Sequence, residues 1–189
     1  LTIILKRNDP TSAAKQVSLT ELGSIKINKE ERTKMYKTIP RSSVIGFLIG
    51  VLPGAGATIA SFLAYGMERN VVSDEEKEKF GKGSVNGLSA PETANNAACS
   101  GSFVPMLTLG IPGSGTTAVM LGALLGFGVQ PGPRLYMTNP EIFWSIIMSM
   151  YIGMVILLIL NLPLIPYIAR ILAVPKNYLI PLILFFSVT

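Results

Sequence analysis

Long uncharged runs alternate with charged segments along the 189 residues of the chain. The uncharged runs are Ser42–Met67, Thr93–Pro133 and Ile142–Ala169, with 26, 41 and 28 residues. Each is longer than the roughly 20 residues with which a helix crosses the hydrocarbon core of a bilayer. The pattern predicts an all-α polytopic membrane protein, with residues 1–189 forming one membrane domain in a lipid bilayer.

The first uncharged run predicts two short helices rather than one long helix. Pro53-Gly54-Ala55-Gly56 interrupts it, because the proline ring removes a backbone donor and the glycines permit non-helical angles. The arms, Ser42–Leu52 and Ala57–Met67, have eleven residues each and are about 16 Å long, half of a hydrocarbon core about 30 Å thick. We expect residues 42–67 to form a re-entrant hairpin.

Residues 83–133 predict a broken-helix region. Many of its residues are small or polar, which is unlike a helix that faces lipid, and Gly110-Ile111-Pro112-Gly113 interrupts it. Cys99, the single cysteine, is interpreted as a small buried packing residue. The pairs Gly46/Gly50 and Gly122/Gly126 have the Gly-x-x-x-Gly spacing with which helices approach each other closely.

The third run predicts a conventional transmembrane helix over residues 141–162. Asn139-Pro140-Glu141 supplies an N-cap, a proline at the first helical position and an acidic first turn. After this helix, Pro163, Pro166, Pro175 and the cations Arg170 and Lys176 predict a short amphipathic or broken connector. Residues 178–189 are expected to begin the next helix.

Charge assigns the sides of the membrane. Residues 1–41 hold nine Lys or Arg and four Asp or Glu, which predicts a cytoplasmic loop by the positive-inside rule. Arg170 and Lys176 then also lie on the cytoplasmic side. Leu1–Leu5 resembles the end of an earlier helix and the last residues are apolar, so we interpret the sequence as a fragment of a longer chain.

Composition excludes several classes of protein. With 49% hydrophobic and 14% charged residues and a mean hydropathy of +0.49, the chain is neither disordered nor built to bind nucleic acid, although its net charge is +5. The absence of His and the single Cys argue against a zinc, haem or disulfide site. Between Gly83 and Pro133 the only ionisable side chains are Glu92 and Cys99, so an enzyme is not expected.

The two breaks share the pattern Pro-Gly-x-Gly-x-Thr, at residues 53–58 and 112–117, 59 residues apart. Paired Gly/Pro interruptions of apolar segments indicate a transporter binding site, because broken helices expose backbone groups inside the membrane. Helix N-termini there can hold a carboxylate, and freed carbonyls suit Na⁺. Neither break carries the Lys-Ser/Thr of a nucleotide-binding P-loop.

Other interpretations of the breaks stay open. The glycines can serve only for close helix packing. Gly-rich re-entrant loops also build the selectivity filters of channels, so a channel-like protein is one alternative and a structural membrane subunit is another. A third polar cluster, Glu92 with Asn95 and Asn96, adds side-chain oxygen ligands and donors, although Glu92 can instead cap a helix after Pro91.

Several strings resemble the large permease subunit of tripartite tricarboxylate transporters, the TctA family. They are Leu52-Pro-Gly-Ala-Gly-Ala-Thr58, Ala90-Pro-Glu-Thr-Ala-Asn-Asn-Ala97, Leu109-Gly-Ile-Pro-Gly-Ser-Gly-Thr-Thr117 and Gln130-Pro-Gly-Pro133. The resemblance implies a multi-pass carrier of the bacterial inner membrane that takes up citrate or related carboxylates on a Na⁺ or H⁺ gradient. It implies two partners, a small membrane subunit and a periplasmic solute-binding protein, and no cofactor.

The resemblance also implies which residues line the substrate and ion site. They are Gly54, Gly56, Thr58, Glu92, Asn95, Asn96, Gly113, Ser114, Thr116 and Thr117. A Na⁺ ion near Asn95 and Asn96 is the metal expected, and no catalytic residue is. The family chain is longer and is thought to contain two related halves, so this site is expected to be incomplete.

Overall fold

The structure, a computed structural model, describes residues 27–171 and consists there of helices, with no strand. The helices are α1 (Lys29–Val51), α2 (Gly56–Val71), α3 (Asp74–Lys77), α4 (Val85–Gly101), α5 (Phe103–Leu109), α6 (Gly115–Gly126), α7 (Leu135–Thr138) and α8 (Pro140–Ile171). The all-α prediction is confirmed. The described residues belong to two compact units, one of residues 27–148 and one that begins at Ser149.

Small residues spaced by four form the core of the first unit. A spacing of four puts side chains on one face of a helix, and small side chains let helix backbones come close together. We call the row of buried residues with this spacing on each helix its stripe. The stripes are Thr38, Ser42, Gly46 and Gly50 on α1, Ala60, Ala64 and Glu68 on α2, and Asn86, Ala90, Ala94 and Ala98 on α4. The three helices therefore pack against one another through their stripes.

Helices α1 and α4 run parallel and nearly touch backbone to backbone. A Cβ atom added at Gly46 would lie 2.6 Å from Ala94 Cα, and one added at Gly50 would lie 2.6 Å from Ala98 Cα. Close approach at Gly46/Gly50 is thus confirmed. At Gly122 and Gly126 an added Cβ would meet nothing within 4 Å among the described residues, so close approach there stays a prediction.

Helix α1 begins well before the uncharged run. The polar segment predicted to reach residue 41 is helical from Lys29, so the first arm is longer than Ser42–Leu52. The Glu31 carboxylate accepts a hydrogen bond from the Asn28 backbone N–H at 2.9 Å, and Lys, Glu, Arg and Met favour helix. Pro40 lies inside the helix, where it removes one donor without ending it.

Both predicted breaks are present. Residues 52–55 separate α1 from α2, and residues 110–114 separate α5 from α6. A further interruption at Ser102, between α4 and α5, was not predicted. Whether the α1–α2 hairpin re-enters the membrane stays a prediction.

A second cluster of buried side chains joins the helices after the second break. Met106 and Leu107 of α5, Val129 and Leu135 are buried together, and Phe143 of α8 packs against them. This cluster positions α6 and the first turns of α8 beside α5.

Helix α8 begins at Pro140 as predicted and continues to Ile171, beyond the expected end near residue 162. The connector predicted after it is wrong for residues 163–171, because each proline removes only one backbone donor and apolar neighbours keep the helix intact. Pro140–Ile165 is long and apolar enough to cross a membrane, and no other helix of the described residues is. Residues 1–26 of the expected cytoplasmic loop and the helix expected at 178–189 lie outside the described residues.

Candidate functional site

The first break is a tight turn that depends on glycine. Gly54 and Gly56 have φ of 81° and 68°, a left-handed conformation that costs side-chain-bearing residues roughly 1–2 kcal/mol. An added Cβ would meet nothing within 4 Å among residues 27–171 at either position. The backbone angle, rather than space, therefore requires glycine here. Thr58 lies exposed on the first turn of α2.

The second break ends one helix and caps the next. Gly110 terminates α5 with φ of 70°, and Ser114 is the N-cap of α6. The Ser114 hydroxyl accepts from the Thr117 N–H at 3.2 Å, while the Thr117 hydroxyl accepts from the Ser114 N–H at 2.8 Å. This reciprocal pairing fixes the start of α6 and leaves Thr116 exposed on its first turn.

The second break packs against the end of α1, which directly precedes the first break. Gly113 is buried, and a Cβ added there would lie 2.9 Å from Ser102 Cβ and 3.2 Å from the Gly50 carbonyl oxygen. Gly50 belongs to the last turn of α1, directly before the first break. A Cβ at Gly101 would lie 3.2 Å from Gly50 Cα, so the end of α4 packs at the same place. The last turn of α1, the end of α4 and the second break thus meet at one place, which we call the junction of the breaks.

Glu92, Asn95 and Asn96 lie on the exposed face of α4, opposite its alanine stripe. The Asn96 amide donates to the Glu92 carbonyl at 2.9 Å, and the Asn95 side-chain oxygen accepts from the Cys99 thiol at 3.8 Å. Asn96 precedes Gly101 by five residues, so it lies about 7.5 Å along the helix from the junction of the breaks. Glu92 is inside the helix, so it is not an N-cap.

Cys99 is exposed, so the prediction of a buried packing residue is wrong. Position 99 follows Ala98, the last alanine of the buried stripe, and one residue turns a helix by about 100°. The thiol therefore shares the exposed face with the two asparagines. The predicted site residues thus lie in three sets: Gly54, Gly56 and Thr58 at the first break, Gly113, Ser114, Thr116 and Thr117 at the second break, and Glu92, Asn95 and Asn96 on one face of α4.

Sequence reasoning missed a buried polar cluster, which we call the Glu68 cluster: Thr38, Arg41, Glu68 and Asn86. Glu68 of α2 is fully buried and bonds to Thr38 and Arg41 of α1 and to Asn86 of α4. The sequence carries a signal for this cluster, because Thr38 and Asn86 continue the four-residue spacing of the stripes on α1 and α4. They are 48 residues apart, as are Gly46 and Ala94.

An ion-pair network lies at the same end of the helices. Lys34 Nζ of α1 lies 2.7 Å from Glu76 Oε1, and Lys79 Nζ lies 2.9 Å from the same oxygen. These hydrogen bonds, chiefly the one from Lys34, hold the pKa of the Glu76 carboxyl below its ordinary value. Hydrogen bonds to Glu76 and then to Glu30 raise the pKa of Lys34. The network fixes the segment after α2 to α1.

The complete chain, residues 1–189, matches the model of a family described as "Tripartite tricarboxylate transporter TctA family". Among curated relatives, an "Uncharacterized 52.8 kDa protein in TAR-I ttuC' 3'region" of Agrobacterium vitis is 39% identical over 181 residues, 96% of this chain and 36% of that protein. An "Uncharacterized protein in TAR-II ttuC' 3'region" of the same organism is 45% identical over 142 residues, 75% of this chain and 58% of that protein. The chain spans less than two thirds of either relative. No solved structure matches it.

Proposed function

Because the chain belongs to the tripartite tricarboxylate transporter TctA family, we propose that it forms part of a secondary carrier importing tricarboxylates or related carboxylates across the bacterial inner membrane. The observation that carries the proposal is the junction of the breaks, where Gly113 of the second break packs against Gly50, in the last turn of α1 before the first break. A carrier needs a site that both sides of the membrane reach in turn, and paired broken helices are a frequent way to build one.

The junction suits an anionic substrate. Helices α2 and α6 both begin at a break, at Gly56 and Gly115, and the first N–H groups of a helix point out from its N-terminus with about half a positive charge. Thr58 and Thr116 add exposed hydroxyls on these first turns. Carboxylates can therefore be held by backbone N–H groups and neutral donors without Lys or Arg in the breaks.

The exposed face of α4 supplies oxygen ligands for the coupled cation. Asn95 and Asn96 offer amide oxygens and Glu92 offers a carboxylate, which balances part of the charge that a cation brings. We propose that Na⁺ or H⁺ moves with the substrate, so that the net negative charge carried across the membrane is reduced. A small membrane subunit and a periplasmic solute-binding protein complete the transporter, and the latter delivers the substrate.

Uptake of labelled citrate tests this function. The complete permease, its small subunit and the binding protein are placed in proteoliposomes, with an inward Na⁺ gradient, an inward H⁺ gradient, or neither. Saturable uptake that needs one gradient supports the carrier. Uptake indifferent to every cation gradient would instead favour the channel-like alternative, and no uptake of any carboxylate would leave a structural membrane subunit.

A pair of asparagine variants tests the cation ligands. Asn96→Ala is expected to abolish the dependence of uptake on the gradient, because it removes an amide oxygen from the proposed site. Asn161→Ala is the matched control, since the Asn161 amide of α8 donates to the Leu157 carbonyl at 2.8 Å, as Asn96 does to Glu92. Equal effects of the two variants would refute a special role for Asn96.

A further inference from the structure

The carboxylate of Glu68 is buried where α1, α2 and α4 meet. Its side chain is 0% exposed, and Oε1 accepts hydrogen bonds from Thr38 Oγ1 at 2.8 Å, Arg41 Nη2 at 2.7 Å and Asn86 Nδ2 at 3.2 Å. Asn86 Nδ2 also donates to Thr38 Oγ1 at 2.8 Å. A charge removed from water needs such partners, because desolvation alone costs several kcal/mol. All three donors, however, converge on one of the two oxygens.

The other carboxylate oxygen is buried without a partner. Among the described residues, neither Glu68 Oε2 nor Asn86 Oδ1 has a hydrogen-bond partner, although both are buried. Arg41 Nε is likewise a buried donor without a described partner. A guanidinium normally grips both oxygens of a carboxylate with two parallel bonds. The Arg41–Glu68 pair is therefore only half formed.

We propose that Glu68 Oε2 and Asn86 Oδ1 bind a monovalent metal cation that exchanges with Arg41. Carboxylate and amide oxygens are ligands of hard cations, and the Thr38 hydroxyl, 2.8 Å from Glu68 Oε1, is a further oxygen of the same cluster. The exchange keeps the charge of the cluster constant, because either the guanidinium or the metal cation neutralises Glu68. With either cation in place, the charge of the buried carboxylate is neutralised.

Arg41, rather than Glu68, is the residue that moves in this exchange. The Arg41 side chain is 37% exposed, whereas Glu68 is fully buried, so the guanidinium can turn to solvent while the carboxylate stays in place. The neighbouring cation, Lys34, is already engaged by Glu76 at 2.7 Å and by Glu30 at 3.2 Å. It is therefore not available to replace Arg41 at Glu68.

The site is separate from the junction of the breaks. Glu68 follows Gly56, the first residue of α2, by 12 residues, so it lies about 18 Å along the helix from the first break. A cation at Glu68 would act on the break through α1 and α2, the two helices that flank it. Binding of a cation at Glu68 does not rest on the transport function proposed above.

Thermal unfolding of the purified full-length permease in detergent tests the binding. Na⁺ is the probe, titrated as NaCl against choline chloride at constant ionic strength. We expect Na⁺ to raise the unfolding midpoint of the wild type saturably and Glu68→Gln to abolish this response. Arg41→Gln removes the competing cation and is expected to shift the response to at least severalfold lower Na⁺ concentration. The matched control is Glu75→Gln, which removes a carboxylate that pairs with Lys79 and not with Lys34, and it is expected to leave the response unchanged.

The response of Arg41→Gln separates the proposal from a purely structural salt bridge. A salt bridge that only stabilises the fold predicts that Arg41→Gln is equally destabilised in Na⁺ and in choline, and this result overturns the proposal. A variant that is stable only in Na⁺ supports it, even if Glu68→Gln does not fold. A wild type and an Arg41→Gln variant that both ignore Na⁺ also overturn it. Because no transport is measured, failure of citrate uptake leaves this result unaffected.

Discussion

Replacing Gly46 by alanine should force α1 and α4 apart. The new Cβ would lie 2.6 Å from Ala94 Cα and 2.8 Å from Ala94 C, and both are backbone atoms that cannot rotate away. Because non-bonded carbons pack about 3.5–4.0 Å apart, the helices must separate by about 1 Å. Such overpacking typically costs about 1–3 kcal/mol of stability. Because the clash is with rigid backbone, we expect a cost of about 3 kcal/mol at Gly46. Alanine returns about 1 kcal/mol of helix propensity, so we expect a net loss of about 2 kcal/mol.

The chain contains a matched control for this substitution. Gly122 has the same Gly-x-x-x-Gly spacing, but an added Cβ would meet nothing within 4 Å among the described residues. Gly122→Ala should therefore stabilise α6 by about 0.4–1 kcal/mol. The free energy of unfolding of the full-length permease, measured by denaturant titration in detergent, compares the two variants. Equal losses at both positions, or no loss at Gly46, would refute the close-packing argument.

Three further predictions concern the breaks and the ion-pair network. Gly54→Ala should destabilise the protein by about 1–2 kcal/mol through its backbone angle alone, and Gly54→Asn, which tolerates this angle better, should lose less in the same denaturant titration. Thr117→Ala removes half of the reciprocal cap and should cost about 1 kcal/mol, whereas Thr117→Ser, which keeps the hydroxyl, should recover most of it. Since Lys34 and Lys79 lower the pKa of Glu76 below 4.5, their stabilising effect is complete above pH 4.5 and is lost as the pH falls through the lowered folded-state pKa. The difference in thermal midpoint between wild type and Glu76→Gln should hence vanish at low pH, and a difference that persists would contradict this assignment.

The breaks and the start of α8 were predictable because their causes are local. A proline without an N–H and glycines with positive φ interrupt a helix whatever surrounds them, and Asn139 before Pro140 begins one in the same way. The start of α1 does not follow from charge alone. A charged segment predicts a loop between Lys29 and Arg41 by the positive-inside rule, but Lys, Glu and Arg are also good helix formers.

The Glu68 cluster was missed because it depends on three helices at once. Glu68 ends an apolar run and is followed by Arg69 and Asn70, so its position resembles the start of an exposed segment. Its partners Thr38 and Asn86 are 30 and 18 residues away. The shared spacing of the stripes predicts these contacts only when it is known that α1 packs against α4, which is a property of the tertiary structure. The exposure of Cys99 was missed likewise, because the buried face of α4 is defined by its packing partners.

Because the stripes of α1 and α4 are evenly spaced, the shape of the two helices does not by itself fix their register along each other. A slide of one turn, four residues or about 6 Å, would again place Gly46 opposite an alanine, Ala90 instead of Ala94. The same slide would move Asn86 away from Thr38 and strip a donor from Glu68, which is costly for a buried charge. The glycines and alanines of the stripes thus allow α1 and α4 to pack closely in more than one register. The hydrogen bonds of the buried Glu68 select one of these registers.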